Sequence, residues 1–199
     1  PKFAIEYYVT DSLNVYASYG HSFNPPPLSQ VYRYSDIVKA NPNLDPERSD
    51  SFEIGLKKEW NTKTTLNVSG FYVKTKDKVK YLTYYDNSGN VDYKMYNNVD
   101  EESRHGVELE VRHQLSSKWS VFGNYTWQTG RIKHKELPNT NASEYAEVNY
   151  DIPKHTFHAG VEYTSGKWNA LWDAQYVSRR QSVDDVTGQY GSEDSYFIS

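Results

Sequence analysis

The sequence contains no cysteine, no long apolar run and no excess of basic residues, and each of these absences excludes a class of protein. A chain without cysteine forms neither disulfides nor thiolate metal sites. A formal net charge of -4 provides no basic field, which makes nucleic acid a poor partner. No stretch approaches the roughly 18 consecutive apolar residues of a transmembrane helix. The chain opens on Pro1 without a methionine or a signal peptide, so we expect it to be a piece of a longer protein.

Aromatic residues are abundant, although only 37% of the 199 residues are hydrophobic. The 19 tyrosines and 5 tryptophans provide more apolar surface than a disordered chain would have. Apolar and polar side chains alternate with a period of two, which is typical of β-strands with two different faces. Eight such runs cover residues 3–9, 13–19, 52–60, 66–72, 107–111, 119–127, 157–163 and 168–176, and a ninth begins at 195–197.

Short and long connections alternate between these runs. Short turns are centred near residues 11, 62, 117 and 166, and long connections occupy roughly 24–49, 77–103, 130–153 and 179–194. This pattern is typical of an outer-membrane barrel, which is apolar towards lipid and polar towards its lumen, with short periplasmic turns opposite long extracellular loops. The sequence therefore predicts an all-β, antiparallel, up-and-down transmembrane β-barrel fragment of about eight strands and the start of a ninth.

A soluble β-sandwich is the alternative fold, because its strands also alternate when one face covers a core. Alternation alone does not separate the two folds. Strands of about ten residues and the placement of all long connections at one end favour the barrel. Within the membrane class, a passive outer-membrane porin is the alternative to a receptor.

The first long connection carries the most specific motif in the sequence. It joins a strand that ends in an aromatic residue to a strand containing Glu53 and Gly55. The motif reads Phe23, Pro25-Pro26-Pro27-Leu28, Tyr32 and Asn41-Pro42-Asn43-Leu44-Asp45-Pro46-Glu47-Arg48-Ser49. Here the chain resembles the TonB-dependent outer-membrane receptors, and weaker similarities follow in the family's order at 96–100, 106–108 and 152–155.

The resemblance implies a receptor of the bacterial outer membrane that imports a scarce ligand with energy delivered through TonB. A ferric siderophore is the expected ligand, because it is the commonest cargo of the family. Haem is disfavoured, since haem receptors place a histidine in the segment that corresponds to 28–40, which has none. The family has an N-terminal plug inside a barrel of about 22 strands. We therefore expect residues 1–199 to be one partial barrel domain from the middle-to-late part, with plug, TonB-binding region and terminal strands absent.

Two sets of loop residues are candidates for function. We interpret the first set as a structural brace, because its prolines fix φ and its asparagines can bond to nearby amides: Asn41, Pro42, Asn43, Leu44, Pro46 and Glu47. The second set offers aromatic faces, hydroxyls and one cation that suit planar or anionic iron chelates: Tyr32, Arg33, Tyr34, Tyr81, Tyr84, Tyr85, Tyr93 and Tyr96. Tyrosines this frequent can equally belong to an aromatic girdle or to loop cores.

Catalysis finds little support in the residues. His155 and His158 lie three positions apart on an alternating strand and so point to opposite faces, unlike the i, i+4 pair of a zinc helix. Glu108 and Glu110 share the polar face, where carboxylates among basic residues need no catalytic explanation. The expected protein is therefore not an enzyme and has no cofactor or resident metal. Its expected partners are the small ligand, outer-membrane lipid and TonB, the last through the N-terminal region that this chain lacks.

Overall fold

The computed structural model describes residues 1–134, 139–140, 152–183 and 190–199, and most of them lie in strands. The strands are β1 (Lys2–Thr10), β2 (Leu13–Asn24), β3 (Glu47–Trp60), β4 (Thr64–Tyr85), β5 (Val91–Gln114), β6 (Trp119–His134), β7 (His155–Ser165), β8 (Trp168–Val177), β9 (Arg180–Val183), β10 (Tyr190–Glu193) and β11 (Tyr196–Ile198). Among these described residues there is one short helix, α1 (Leu28–Val31), which lies in the first long connection. No helix in these described ranges is long and apolar enough to cross a membrane.

Nine strands form one antiparallel sheet in the order β1-β2-β3-β4-β5-β6-β7-β8-β11. Each strand pairs with the next along the chain, except that the β9–β10 hairpin interrupts the step from β8 to β11. The prediction of eight strands and the start of a ninth is confirmed. Within the described residues the only other sheet is the two-stranded β9–β10 hairpin. No sheet in these ranges therefore covers the nine-stranded sheet as the second layer of a sandwich would.

The strand register carries the predicted apolar face across the whole sheet. One row of directly paired residues crosses all nine strands: Tyr7, Val15, Leu56, Val68, Leu109, Tyr125, Phe157, Tyr176 and Phe197. The neighbouring row points to the other side: Tyr8, Asn14, Lys57, Asn67, Glu110, Asn124, His158, Gln175 and Ile198. Because successive residues of a strand point to opposite faces, the sheet has one apolar and one largely polar surface.

Within the described ranges, no protein core covers the apolar face. Tyr7, Phe157 and Phe197 of the apolar row are 67%, 47% and 73% exposed. Among the described residues, the buried hydrophobic side chains are Val38, Leu44, Leu82, Val99, Ile132 and Val177, and all lie at the end of the sheet that carries the long connections. An apolar sheet face that covers no core is what a barrel wall presents to lipid.

The interpretation of 77–103 as a long loop is wrong. β4 continues to Tyr85 and β5 begins at Val91, so only residues 86–90 turn the chain. The turn is held by Asp86 Oδ1, which accepts the backbone amides of Ser88 and Asn90 at 2.8 Å each. These bonds, with Asn90 the larger contributor, hold the pKa of the Asp86 carboxyl below its ordinary value. Their contribution to the turn is therefore complete above about pH 4 and is lost as the pH falls through the folded-state pKa.

An irregularity at Asp77 separates the wall from the projecting part of this hairpin. The β4–β5 register shifts between Thr75 and Lys78, and Asp77 has a positive φ of 59°. Such a bulge increases the local twist and redirects a strand pair. Residues 78–98, which we call the apical hairpin, extend beyond it at the end of the long connections.

Glycine on the polar face makes room for aromatic rings from the neighbouring strand. Gly55, Gly106 and Gly160 are paired directly with Tyr16, Phe71 and Phe122, and in each case the ring occupies the space of the missing Cβ. A Cβ on Gly106 would lie 2.8 Å from the Phe71 ring and would also clash with the carbonyl oxygen of Trp127. The Trp127 carbonyl belongs to the backbone of the neighbouring strand β6, so a rotamer change alone cannot make room for a side chain at Gly106.

We therefore expect Gly106→Ala to destabilise the folded barrel by about 1–3 kcal/mol, the usual cost of overpacking. Gly70→Ala is the matched control, because a Cβ there would meet nothing closer than the Gly106 carbonyl oxygen at 3.8 Å. The control should change stability by less than about 0.5 kcal/mol. Urea unfolding of the full-length receptor in detergent measures both, and equal effects of the two substitutions would contradict the packing account.

Candidate functional site

The first long connection crosses the apical hairpin rather than standing free. Lys94 of β5 donates its amide to the carbonyl of Ile37 at 2.7 Å, and the amide of Lys39 donates to the carbonyl of Lys94 at 2.9 Å. β4 lies between β3 and β5 in the sheet, so the connection from β2 passes β4 to reach this edge. Val38, in the middle of the contact, is only 5% exposed. The connection thus becomes a short additional strand on the edge of β5.

The opposite edge of the apical hairpin is also paired. The amide of Tyr85 donates to the carbonyl of Asn139 at 2.9 Å, and Tyr84 forms a bridge with Thr140. Thr140 is buried at 9% exposure. Segments of two long connections therefore cover both backbone edges of the hairpin, which satisfies donors and acceptors that an edge would otherwise expose.

Asn41, at the head of the Asn-Pro block, bonds the connection to β5. Its Nδ2 donates to the carbonyl of Tyr96 at 2.8 Å and to Oδ1 of Asn97 at 2.9 Å. Its Oδ1 accepts the amide of Asn43 at 3.1 Å, which closes a local turn before Pro46. A single asparagine thus fixes both the local conformation of the block and its position on the hairpin.

Asn98 of β5 holds the second half of the block. Its Nδ2 donates to the carbonyls of Asp45 and Asp77 at 2.9 and 2.6 Å, and its Oδ1 accepts the amide of Asp45 at 2.9 Å. Glu47 Oε1 accepts the amide of Val79 at 2.9 Å, and Leu44 is buried. The segments 41–49 and 96–100, noticed separately in the sequence, therefore interlock through side-chain to backbone bonds.

One group of the ligand candidates lies on one face of the apical hairpin. Tyr81 and Tyr96 are paired across the strands with ring centroids 4.7 Å apart, and the Arg33 guanidinium lies 5.7 Å from the Tyr81 ring centroid. Two tyrosines of the first connection are far more open, with Tyr32 at 65% and Tyr34 at 80% exposure. The exposed rings and the guanidinium are close in sequence and can reach a ligand from solution.

A second group lies on the opposite face. Tyr84 and Tyr93 are stacked at 4.5 Å, and the Lys39 ammonium lies 3.4 Å from the Tyr93 ring centroid. Burial, and then the neighbouring Tyr93, raise the pKa of the Tyr84 hydroxyl above its ordinary value. Tyr84 therefore stays protonated at neutral pH, where its oxygen accepts a bond from the Asn97 amide. Tyr85 is half-buried at the hairpin edge that pairs with Asn139.

The eight candidates therefore do not form one pocket. Because directly paired residues share a face and successive residues alternate, Tyr81 and Tyr84 must point to opposite sides. Sequence reasoning missed Lys39, Asn97 and Asn98, which contact the tyrosines or the block. The signal for the asparagines was present in the repeated Asn-Asn of 97–98, since such side chains commonly bond backbone groups.

A basic cavity at the same end of the sheet was also missed. It has a volume of about 730 Å³ and lies where β6, the start of β7 and the β9–β10 hairpin meet. Its lining includes Gln128, Lys154, Arg179, Arg180 and Ser192. Arg180 pairs with Glu193, and Arg179 Nε lies 3.9 Å from Asp194 Oδ1. The adjacent pair Arg179-Arg180 after a predicted strand was the available signal.

The histidines are separated as the alternation predicts. His155 Nδ1 lies 2.8 Å from the Tyr125 hydroxyl on the apolar face, whereas His158 Nε2 lies 2.8 Å from Asp173 on the polar face. In the part of the chain that the structure describes, no three His, Asp or Glu side chains are arranged to hold a metal ion. On the polar wall, Glu53 accepts a bond from the Tyr16 hydroxyl at 2.8 Å and Glu110 accepts one from Asn67 at 3.1 Å.

The interlock predicts a specific effect of Asn98→Ala. Removing this side chain leaves the amide and carbonyl of Asp45 and the carbonyl of Asp77 without their partner, at a cost of about 1–3 kcal/mol. We expect faster hydrogen exchange across residues 41–47 in the variant. Asn87→Ala, at the exposed tip of the hairpin, is the matched control and should leave exchange there unchanged. Unaltered exchange in Asn98→Ala would mean that other contacts hold the connection.

Comparisons with known proteins agree with this geometry. The family model described as "TonB dependent receptor-like, beta-barrel" matches residues 1–199. The probable TonB-dependent siderophore receptor PiuA of Acinetobacter baumannii is 27% identical over 194 residues, covering 84% of this chain and 25% of that protein. The ferric-pyoverdine BN7/BN8 receptor of Pseudomonas putida is 23% identical over 163 residues, covering 82% and 17%.

A solved structure shows the same fold. The ferric-catecholate import receptor Fiu of E. coli K12 matches with a TM-score of 0.68 at 20% identity, over 98% of this chain and 27% of that one. The chain thus spans about a quarter or less of the length of the curated relatives that it matches. The resemblance noted from the Asn-Pro block is confirmed. Since the family model covers every residue, the chain belongs to the TonB-dependent receptor family and forms part of its β-barrel.

Proposed function

We propose that the protein containing this chain imports a ferric siderophore across the bacterial outer membrane, with energy delivered through TonB. Members of the family are transport receptors rather than enzymes, and both curated relatives are named as siderophore or ferric-pyoverdine receptors. TonB would act through a region outside this chain. Residues 1–199 would contribute one arc of the barrel domain, whose apolar face contacts outer-membrane lipid.

The observation that carries the proposal is the chemistry at the long-connection end. The basic cavity of about 730 Å³ has a size typical of small-ligand sites, and it presents Lys154, Arg179 and Arg180. Guanidinium groups form charge-assisted, often bidentate bonds with carboxylates and other anionic oxygens. An anionic ferric chelate therefore fits this end better than a cationic or purely apolar ligand.

The exposed residues of the first connection are the second contact surface in this proposal. Tyr32 and Tyr34 would stack on a planar ligand while Arg33 supplies charge. The remaining candidates, Tyr81, Tyr84, Tyr85, Tyr93 and Tyr96, would form the aromatic flanks of the hairpin beside which the ligand lies. The block Asn41, Pro42, Asn43, Leu44, Pro46 and Glu47 would keep the connection in place and would not contact the ligand.

Energised uptake is the direct test. Cells that produce the full-length receptor are given siderophore loaded with radioactive iron, with and without functional TonB. We expect accumulation only when TonB is present. Uptake that is the same with and without TonB would instead favour the passive porin. As the control for expression, the amount of receptor inserted into the outer membrane without ligand is measured in both kinds of cell.

Neutralising the cavity should weaken ligand binding. Because a hydrogen bond to a charged group contributes about 1.5–3 kcal/mol, Arg179→Gln is expected to raise the Kd of the ferric siderophore by roughly tenfold or more. Lys2→Gln is the control, since Lys2 lies at the same end of the sheet on β1, outside the cavity lining. Fluorescence titration of the purified full-length receptor measures both, and equal Kd values for Arg179→Gln and the unaltered receptor would contradict the assignment.

A further inference from the structure

Five basic residues cluster on the apolar side of the sheet, at the end that carries the long connections. They occupy β3, β4 and β6, and we call them the rim patch: Arg48, Lys74, Lys76, Arg131 and Lys133. Arg48 pairs directly with Lys76. Lys74 and Arg131 both pair with Ser103 of β5, which lies between them. The register therefore brings the five cations together across four adjacent strands.

The alternation of side chains assigns the rim patch to the apolar face. Lys74 lies two positions beyond Tyr72, which belongs to that face and is 40% exposed. In β6, Arg131 and Lys133 are exposed, whereas Ile132 between them is only 6% exposed. Because successive residues of a strand point to opposite faces, the two cations share the side of the odd-numbered apolar positions of β6. Ile132 points to the other side.

The carboxylates in the same rows are already bonded. Asp50 Oδ1 accepts a bond from the Tyr19 hydroxyl at 2.7 Å and lies 2.9 Å from His21 Nδ1. Glu101 pairs with the Lys74 ammonium at 2.8 Å. Within the ranges that the structure describes, the other four cations of the rim patch have no carboxylate within ion-pair distance. The patch therefore has an excess of positive charge.

This excess is local. Lys76 and Lys133, on different strands, both interact electrostatically with the Glu101 carboxylate, so they are close in space as well as in register. The positions of β2 in register with the patch carry Phe23 and His21, so the Lys and Arg residues do not continue onto that strand. The formal net charge of the whole chain is -4, and composition therefore does not explain a basic cluster on the apolar side.

Apolar side chains lie directly beneath the rim patch. Phe52 and Tyr72 are paired with each other in the row next to Asp50 and Lys74, and they are 52% and 40% exposed. An anionic group held by the patch would thus have an exposed apolar surface immediately below it. That combination suits a lipid, whose headgroup is charged and whose chains are apolar, better than a soluble anion.

We propose that the rim patch binds a lipid headgroup that carries at least two phosphates. The inference rests on the proposed outer-membrane placement, in which the long connections face the cell exterior and the patch meets the outer leaflet. Guanidinium and ammonium groups both bind phosphate oxygens through charge-assisted bonds. The patch spans about 14 Å across the strands and about 7 Å along them, which is wider than one phosphate group.

The test uses the full-length receptor purified in an uncharged detergent. Diphosphorylated lipid A, monophosphorylated lipid A and phosphatidylcholine are titrated separately, and native mass spectrometry measures the fraction of receptor that carries each lipid. We expect the lowest Kd for diphosphorylated lipid A, by roughly fivefold or more relative to the monophosphorylated form, with the difference reduced at high salt by screening. Equal Kd values for the three lipids would overturn the proposal.

Two double variants distinguish the rim patch from general electrostatics. Lys76→Gln/Lys133→Gln removes two exposed cations of the patch and should raise the Kd of diphosphorylated lipid A by roughly tenfold or more. Lys63→Gln/Lys118→Gln is the matched control, because it removes the same charge from exposed lysines at the short turns, and it should leave this Kd unchanged. An equal effect of the two double variants would contradict a site at the patch.

Errors in the patch and in the proposed function give different results. A receptor whose uptake depends on TonB but which shows no lipid preference would overturn the patch alone. The expected lipid preference in a receptor whose uptake is the same without TonB would overturn the import proposal and support the patch. If Lys76→Gln/Lys133→Gln raised the Kd of the ferric siderophore and left that of lipid A unchanged, the patch would serve the soluble ligand, and the lipid proposal would be wrong.

Discussion

Each strand of this sheet has one apolar and one polar face, as the wall of a TonB-dependent receptor barrel requires, and the rest of the structure follows from that constraint. In hydrocarbon a backbone amide or carbonyl without a partner is prohibitively costly, so the strands must pair continuously with their neighbours. Pairing fixes the register, and the register aligns apolar residues on one surface from Tyr7 in β1 to Phe197 in β11. The aromatic rings that occupy the space beside Gly55, Gly106 and Gly160 show that the polar surface is also closely packed.

The same constraint explains why, among the described residues, the buried apolar side chains lie at one end only. A single-layer sheet encloses no core between its two faces. The buried apolar residues, such as Val38, Leu44 and Leu82, lie where the long connections meet the apical hairpin. There the hairpin receives a strand-like segment on each edge and is tied by Asn41 and Asn98. The result is a platform whose aromatic and basic groups are held in fixed positions at this end of the sheet.

The fold was predictable because its signal is local, whereas the site was not. Period-two alternation and turn spacing depend on neighbouring residues, so the nine strands of the main sheet could be read directly, whereas β9 and β10 lie in the stretch 179–194 that was interpreted as a long connection. The apical hairpin was mistaken for a loop because its tyrosines, lysines and asparagines give no apolar face, and because Asp77 shifts the register. Grouping Tyr81 with Tyr84 failed because the two residues are three positions apart on one strand and therefore point to opposite faces. The basic cavity joins segments around Gln128, Lys154 and Arg179, a proximity that no single stretch of sequence records.

The central claim is that this sheet is a membrane wall, and the chain's lack of cysteine offers a direct test along β4. Single cysteines placed at successive positions from 65 to 72 of the full-length receptor can be spin-labelled, and their accessibility to dissolved oxygen, which concentrates in lipid, can be measured in vesicles. The account predicts a two-residue period, with high oxygen accessibility at Leu66, Val68, Gly70 and Tyr72 and low values at Asn67, Ser69 and Phe71. A flat profile, or maxima at the odd-numbered positions, would contradict it.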